Sequence, residues 1–139
     1  MRIRPALFSL ALFLPVPALA EDALDTTRHV IEQQIDAFLK DDAAAAYAFA
    51  APGIQARYPD KDTFFAMVKK SYQPVYKPGN YAFGRSKTVG DGAMILHEVL
   101  IEGRDGKDWK AVYQLLRQSD GSYKIGGVLI APETDSKGI

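Results

Sequence analysis

The chain has 139 residues, with 17 basic and 17 acidic side chains, two histidines and no cysteine. That length holds one ordinary domain, and the even charge balance excludes the basic surface that nucleic acid or an anionic membrane calls for. Without cysteine there are no disulfides, so a hydrophobic core must hold the fold alone.

The first twenty residues read as an export leader. Arg2 and Arg4 supply a positive start, Ala6 to Val16 is an uncharged and mostly apolar run, and Pro15 and Pro17 precede the small-x-small site Ala18-Leu19-Ala20. The run is too short for a membrane span, which needs ~20 apolar residues, so no stable membrane anchor is expected. Ile3 separates the arginines, which excludes a twin-arginine signal, and the absence of cysteine excludes a lipobox anchor. Cleavage after Ala20 would release a periplasmic or secreted chain of 119 residues, in which acids outnumber bases by two. Residues 21–132 form the expected domain and 133–139 an expected flexible tail.

An amphipathic helix is predicted from about Asp25 to Lys40. Leu24, Thr27, Val30, Ile31, Ile35, Phe38 and Leu39 share one face at a 3.6-residue period, and His29, Glu32, Gln33, Asp36 and Lys40 the other. This places His29 in solvent and makes Asp36 and Lys40 an i,i+4 pair. Asp41 or Asp42 caps a second helix, Ala43 to Ala51, which Pro52-Gly53 is expected to stop. A third helix starts near Asp60 or Asp62, with Phe64, Phe65, Val68 and Tyr72 as a core stripe. Gln73 to Asn80, with two prolines, reads as an extended connector that carries Tyr76.

From Tyr81 the pattern changes to period two. Four strands are expected: Tyr81 to Val89, Ala93 to Glu102, Trp109 to Gln118 and Tyr123 to Ile130. Asp105-Gly106 and Asp120-Gly121 read as two-residue hairpin loops, because a type I′ turn needs positive φ at both central residues. That loop length fixes the register. It pairs Leu116 with Ile125, Gln114 with Gly127 and Val112 with Leu129, and sets Ile95, His97 and Val99 opposite Leu116, Gln114 and Val112. One face then carries Ile95, His97, Val99, Ile101, Lys110, Val112, Gln114, Leu116, Ile125, Gly127 and Leu129. It has a single charge, so it is expected to meet the helices. A two-residue first turn would add Ala82, Gly84, Ser86 and Thr88 to it. The other face carries Leu96, Leu100, Trp109, Tyr113, Leu115, Val128 and Ile130 among charges, with Arg85 and Glu98 as an ion pair. So apolar an outer face predicts a homodimer through it.

Helices followed by a four-stranded antiparallel meander resemble the nuclear-transport-factor-2-like (cystatin-like) α+β cone, which also houses ketosteroid isomerase and SnoaL-like cyclases. Two stretches carry the resemblance: Lys40-Asp41-Asp42-Ala43 with Tyr47-Ala48-Phe49-Ala50-Ala51-Pro52-Gly53-Ile54, and Gly121-Ser122-Tyr123-Lys124-Ile125-Gly126-Gly127-Val128-Leu129-Ile130. More narrowly, the chain is similar to a family of short exported bacterial proteins of this fold, a domain of unknown function. The resemblance implies a fold and carries over no catalytic residues.

His97 is the one residue that resists a purely structural reading. Mid-strand on the apolar face, it is either a hydrogen-bonded core histidine or, in the row His97-Gln114-Gly127, part of a pocket floor, with Tyr47 and Tyr76 at the mouth. No spacing of His, Asp or Glu suggests a metal site, Gly103-Arg104-Asp105-Gly106-Lys107 is a hairpin tip and no phosphate loop, and no cofactor is expected. Two functions stay open. One is a non-catalytic module binding a small apolar ligand or a protein partner. The other is a cofactor-free isomerase or hydrolase with His97 as general base. The second needs an orienting carboxylate, which the strand face lacks and which Asp41 or Asp42 would have to supply.

Overall fold

The computed structural model describes residues 16–134, and side chains over 22–134. The proposed leader and tail therefore lie largely outside the described residues. Among those described, five helices precede four strands. They are α1 (Val16–Leu39), α2 (Ala43–Ala48), α3 (Pro52–Arg57), α4 (Lys61–Ser71), α5 (Gln73–Tyr76), β1 (Pro78–Val89), β2 (Met94–Gly103), β3 (Asp108–Arg117) and β4 (Tyr123–Pro132). The strands form one open antiparallel sheet in the order β1-β2-β3-β4. This is an α+β architecture, with helices packed on a four-stranded sheet.

α1 begins at Val16 and runs through the expected cleavage site. Its stripe behaves as the periodicity requires. Thr27, Ile31, Ile35 and Phe38 are buried, His29 is exposed, and Lys40 pairs with Asp36 at 3.0 Å. The helix closes with Asp41 in the left-handed region (φ 55°), where the Asp41 and Asp42 N–H groups donate to the carbonyls of Phe38 and Ala37. Asp42 then caps α2 by accepting from the Ala45 N–H, and Asp60 caps α4 by accepting from Thr63.

Two expected breaks are helices. Pro52 does not end α2. It opens α3 at a first-turn position, where its missing N–H costs nothing. Pro74 does the same in α5, so the connector is extended only from Pro78, where β1 begins.

The sheet register differs from the expected one by a single residue in each Asp-Gly hairpin. At Gly103 to Lys107, the Gly103 N–H donates to the Lys107 carbonyl and the Gly106 N–H to the Gly103 carbonyl. Gly106 (φ 84°) has positive φ and Asp105 does not. Gln118 to Ser122 repeats this geometry with Gly121 (φ 89°). Both are three-residue loops, a type I turn followed by a left-handed glycine, and not type I′ turns.

The odd loop moves β3 by one position, which turns its side chains over. His97 pairs with Tyr113, Ile95 with Leu115 and Val99 with Ala111. The core face is therefore Ile95, His97, Val99 and Ile101 with Ala111, Tyr113 and Leu115, all buried, and Trp109 packs against them. Val112, Gln114 and Leu116 lie on the outer face instead. In β4 a bulge at Gly126 cancels the loop's error. Leu115 pairs with Ile125, but Gln114 pairs with Gly127 and Val112 with Leu129, as expected. A second bulge between Phe83 and Ser86 turns β1, so that Tyr81 and Phe83 join the core rather than the outer face. The bulged Arg85 N–H is taken by the Glu98 carboxylate, which also binds the Arg85 guanidinium at 2.7 Å. Lys110 continues this chain of charges to Glu98 (3.8 Å) and Glu133 (3.6 Å). The Glu133 N–H also donates to the Asp108 carbonyl, so the chain is still tied down where the tail was expected to start.

The homodimer patch changes with the register. Trp109, Tyr113, Leu115, Val128 and Ile130 pack on the core, and the apolar residues left outside are Leu96, Leu100, Val112, Leu116 and Leu129.

Tyr113 is fully buried, and its hydroxyl has no hydrogen-bond partner among the described residues. Burial, followed by the electrostatic effect of Tyr81, pushes its pKa up. A buried hydroxyl without a partner carries an uncompensated desolvation cost. Tyr113→Phe keeps the ring and removes that cost, so it should leave stability unchanged or raise it by about 1 kcal/mol in urea unfolding. A clear loss of stability would show that the hydroxyl is bonded.

Candidate functional site

The residues expected to floor one pocket fall in three places. His97 lies under α1, 1 % exposed, with its Nε2 2.6 Å from the Thr27 hydroxyl and its ring edge-on to Phe83. The Thr27 hydroxyl has one proton and sits 2.8 Å from the Ala23 carbonyl one turn back. If it donates there, it accepts from an Nε2–H, which fixes the tautomer of a neutral ring. Burial, followed by the charge of Arg28, lowers the His97 pKa from 6.5 to about 4. His97 is thus a hydrogen-bonded core histidine. It is separated by the sheet from Gln114, and it lines neither cavity described below.

Tyr47 packs on Phe64 and donates to the Tyr58 carbonyl at 2.6 Å, which ties α2 to the end of α3. Tyr76 meets Phe38 and Phe65 edge-on and donates a hydrogen bond to Asp41, which also binds Lys77. These two bonds lower the Asp41 pKa, and the same carboxylate raises that of Tyr76. Asp41 is therefore committed to Tyr76 and Lys77, and Asp42 to its helix cap. Tyr76 borders a small cleft of about 310 Å³ with Lys77, Arg104 and Trp109.

Gln114 and Gly127 do meet a cavity, of about 650 Å³. It lies where α3 and α4 face the edge strand β4. Phe38, Phe64, Val68 and Val75 form its inner wall, and Ile54, Tyr58, Met67 and Tyr72 its helical rim. Leu96, Val112, Gln114 and Leu129 line it from the outer face. Lining drawn from both faces of β4 requires a strand that presents little bulk at its edge. Gly126 and Gly127 meet that requirement. A Cβ on Gly126 would lie 2.4 Å from a Leu116 methyl, so the bulge position admits no side chain without repacking. One residue earlier the edge is closed. The Ile125 N–H donates to the Phe49 carbonyl and the Ile125 carbonyl accepts from Ala51, a short parallel bridge that anchors the entry to α3.

The polar groups of this lining are few. Gln34 is buried and donates to the Ala46 carbonyl, and Gln114 reaches the Met94 sulfur at 3.1 Å. Arg57, the last residue of α3, is the one charged side chain in the lining and is exposed. The rim residues Ile54, Arg57, Tyr58 and Met67 were not anticipated as a site. Pro52-Gly53 reads as a stop, which hides α3, and Tyr72 reads as core. Pro at a helix's first position was the signal for α3. Among the described residues no group of three His, Asp or Glu side chains is placed to hold a metal ion.

A family model described as a domain of unknown function (DUF4864) matches residues 20–138. The chain belongs to this family. No curated protein and no solved structure gives a match.

The buried histidine makes the fold acid-sensitive. Its folded pKa lies below the unfolded 6.5, so as pH falls the unfolded chain takes up the proton first. The associated stability is complete above pH ~6.5 and is lost as pH falls toward about 4, by up to about 3 kcal/mol. In urea unfolding at pH 7, 5.5 and 4, His97→Gln should lose less stability over this interval than the wild type. Equal losses would mean that His97 titrates in the folded state as it does in the unfolded chain.

Proposed function

We propose that the mature chain is an exported binding module of the nuclear-transport-factor-2-like class, holding a small apolar ligand in the cavity between α3, α4 and the β4 bulge. The observation that carries this reading is the cavity itself. Its volume of about 650 Å³ falls within the usual ligand-site range, and apolar side chains dominate its walls. The cone-like class is supported by helices that precede a meander and by bulges in β1 and β4, which bend their strands. Export is supported by the leader pattern and by a family match that begins at residue 20, where that leader is expected to end. Among the described residues, no helix is long and apolar enough to cross a membrane. Catalysis by His97 is the weaker reading, because the group at its Nε2 is a hydroxyl and not a carboxylate.

A second reading, a homodimer through the outer sheet face, rests on Leu129 and Leu100, which are 76 % and 41 % exposed. Leu129 also lines the cavity, so a second copy seated there would roof that side of it.

Native mass spectrometry of the chain from a periplasmic extract tests all three parts. The expected species begins at Glu21, carries a bound small molecule and is a dimer that Leu129→Glu converts to a monomer. A mass retaining Met1 would end the export reading, and a monomer at all concentrations would end the dimer.

Gly127→Val tests the cavity. Its Cβ would meet the Gln114 Oε1 at 3.4 Å, an ordinary contact, and β-branching suits a strand. The variant should fold normally and lose the bound molecule. Retention of the ligand in full would place it elsewhere.

A further inference from the structure

The lining of the cavity is apolar but for two glutamines, the tyrosine phenols and one charge, Arg57. Arg57 forms no ion pair and no hydrogen bond with any described residue. Arg28, Arg85, Lys40, Lys61, Lys77 and Lys110 have a carboxylate within 4.0 Å, while Lys70, Lys87, Arg104 and Lys107 have none among the described residues, so what marks Arg57 is its place in the cavity lining. A guanidinium at the open side of an apolar cavity contributes nothing to holding an uncharged hydrocarbon and repels a cation. It matches a planar anion, which it can bind through two parallel N–H donors.

Resting on the cavity reading above, we propose that the ligand is a monoanionic amphiphile of the fatty-acid class. Arg57 holds its headgroup at the rim, and its hydrocarbon chain runs inward along Ile54, Met67, Phe64, Val68 and Phe38. Burial of the chain supplies most of the affinity, in proportion to the apolar area removed from water. The single charge selects the headgroup, and because Arg57 is exposed this part of the affinity is screened by salt. The position suits selection without structural cost, since α3 has no buried residue and Arg57 can be replaced without opening the core.

Titration calorimetry with sodium decanoate, 1-decanol and decyltrimethylammonium, all below their micellar range, separates the possibilities. The wild-type mature chain should bind decanoate most tightly and the cation least. Arg57→Gln should weaken decanoate by roughly 10- to 100-fold, the scale of one hydrogen bond to a charged group, and leave decanol unchanged. Arg57→Lys should restore part of the loss, and added salt should weaken decanoate alone. Equal affinity for decanoate and decanol in the wild type, or an equal loss of both in Arg57→Gln, would overturn the anionic headgroup while leaving the apolar cavity standing. Failure of all three probes to bind would remove the cavity reading and this proposal with it.

Discussion

The register of the sheet depends on two glycines, and nearly everything else follows from it. Gly106 and Gly121 each occupy a left-handed position at the end of a three-residue loop. An L-residue with a side chain resists that conformation, and the loop it completes is one residue longer than a type I′ turn. Because strand side chains alternate with period two, that residue decides whether Ala111, Tyr113 and Leu115 lie against α1 or in solvent. With the three-residue loop, these side chains complete a core with Ile31, Ile35 and Phe38. Each fully buried aliphatic of this kind contributes about 1.5–3 kcal/mol. The alternative register would bury Lys110 and Gln114 instead.

The same constraint creates the site. Were β4 to follow its hairpin without interruption, Gly127 and Leu129 would turn toward the helices and Val128 and Ile130 toward solvent. The bulge at Gly126 shifts the phase, so that Ile125, Val128 and Ile130 all serve the core. The bulge requires a position with no side chain beside Leu116, and the two glycines thin the edge strand just past the bridge that pins Ala50 to Ile125. The cavity opens where this pairing ends.

Much of the fold was legible in the sequence, because its signals are periodic. The α1 stripe, the Asp42 and Asp60 caps, the four strands, the Arg85–Glu98 pair and the exposed His29 follow from spacing and residue chemistry. What failed was punctuation. Asp-Gly is compatible with loops of two or three residues, and only the φ of the aspartate tells them apart. Pro52 and Pro74 stop a helix or start one, depending on which side of the proline the chain turns. Gln114 and Gly127 were placed together correctly because two errors, in the loop and at the bulge, cancel. His97 was put on the right face but given the wrong neighbours, since β3 turned over beneath it. Its partner Thr27 stood on the correct stripe of α1, yet a contact across 70 residues has no local signal.

The core and the cavity share the inner wall of Phe38, Phe64, Val68 and Val75, but the cavity's rim lies apart from the core. The core joins α1 to the sheet, with Phe64 and Val68 of α4 and Val75 of α5 added, and the buried Thr27–His97 contact lies within it. The cavity's rim belongs to α3 and α4, and α3 is a six-residue helix with no buried side chain. A helix so short has little intrinsic stability. It is held by Ala51 on the Ile125 carbonyl, by Pro52 in its first turn and by the Tyr47 hydroxyl on the Tyr58 carbonyl at its end. Those anchors involve backbone groups and Tyr47 and leave the Arg57 side chain free, while Ile54 also packs against the core. A substitution at Arg57 would therefore change the cavity's rim without disturbing the register on which the fold depends. A scaffold arranged in this way can change the rim of its cavity while keeping its architecture.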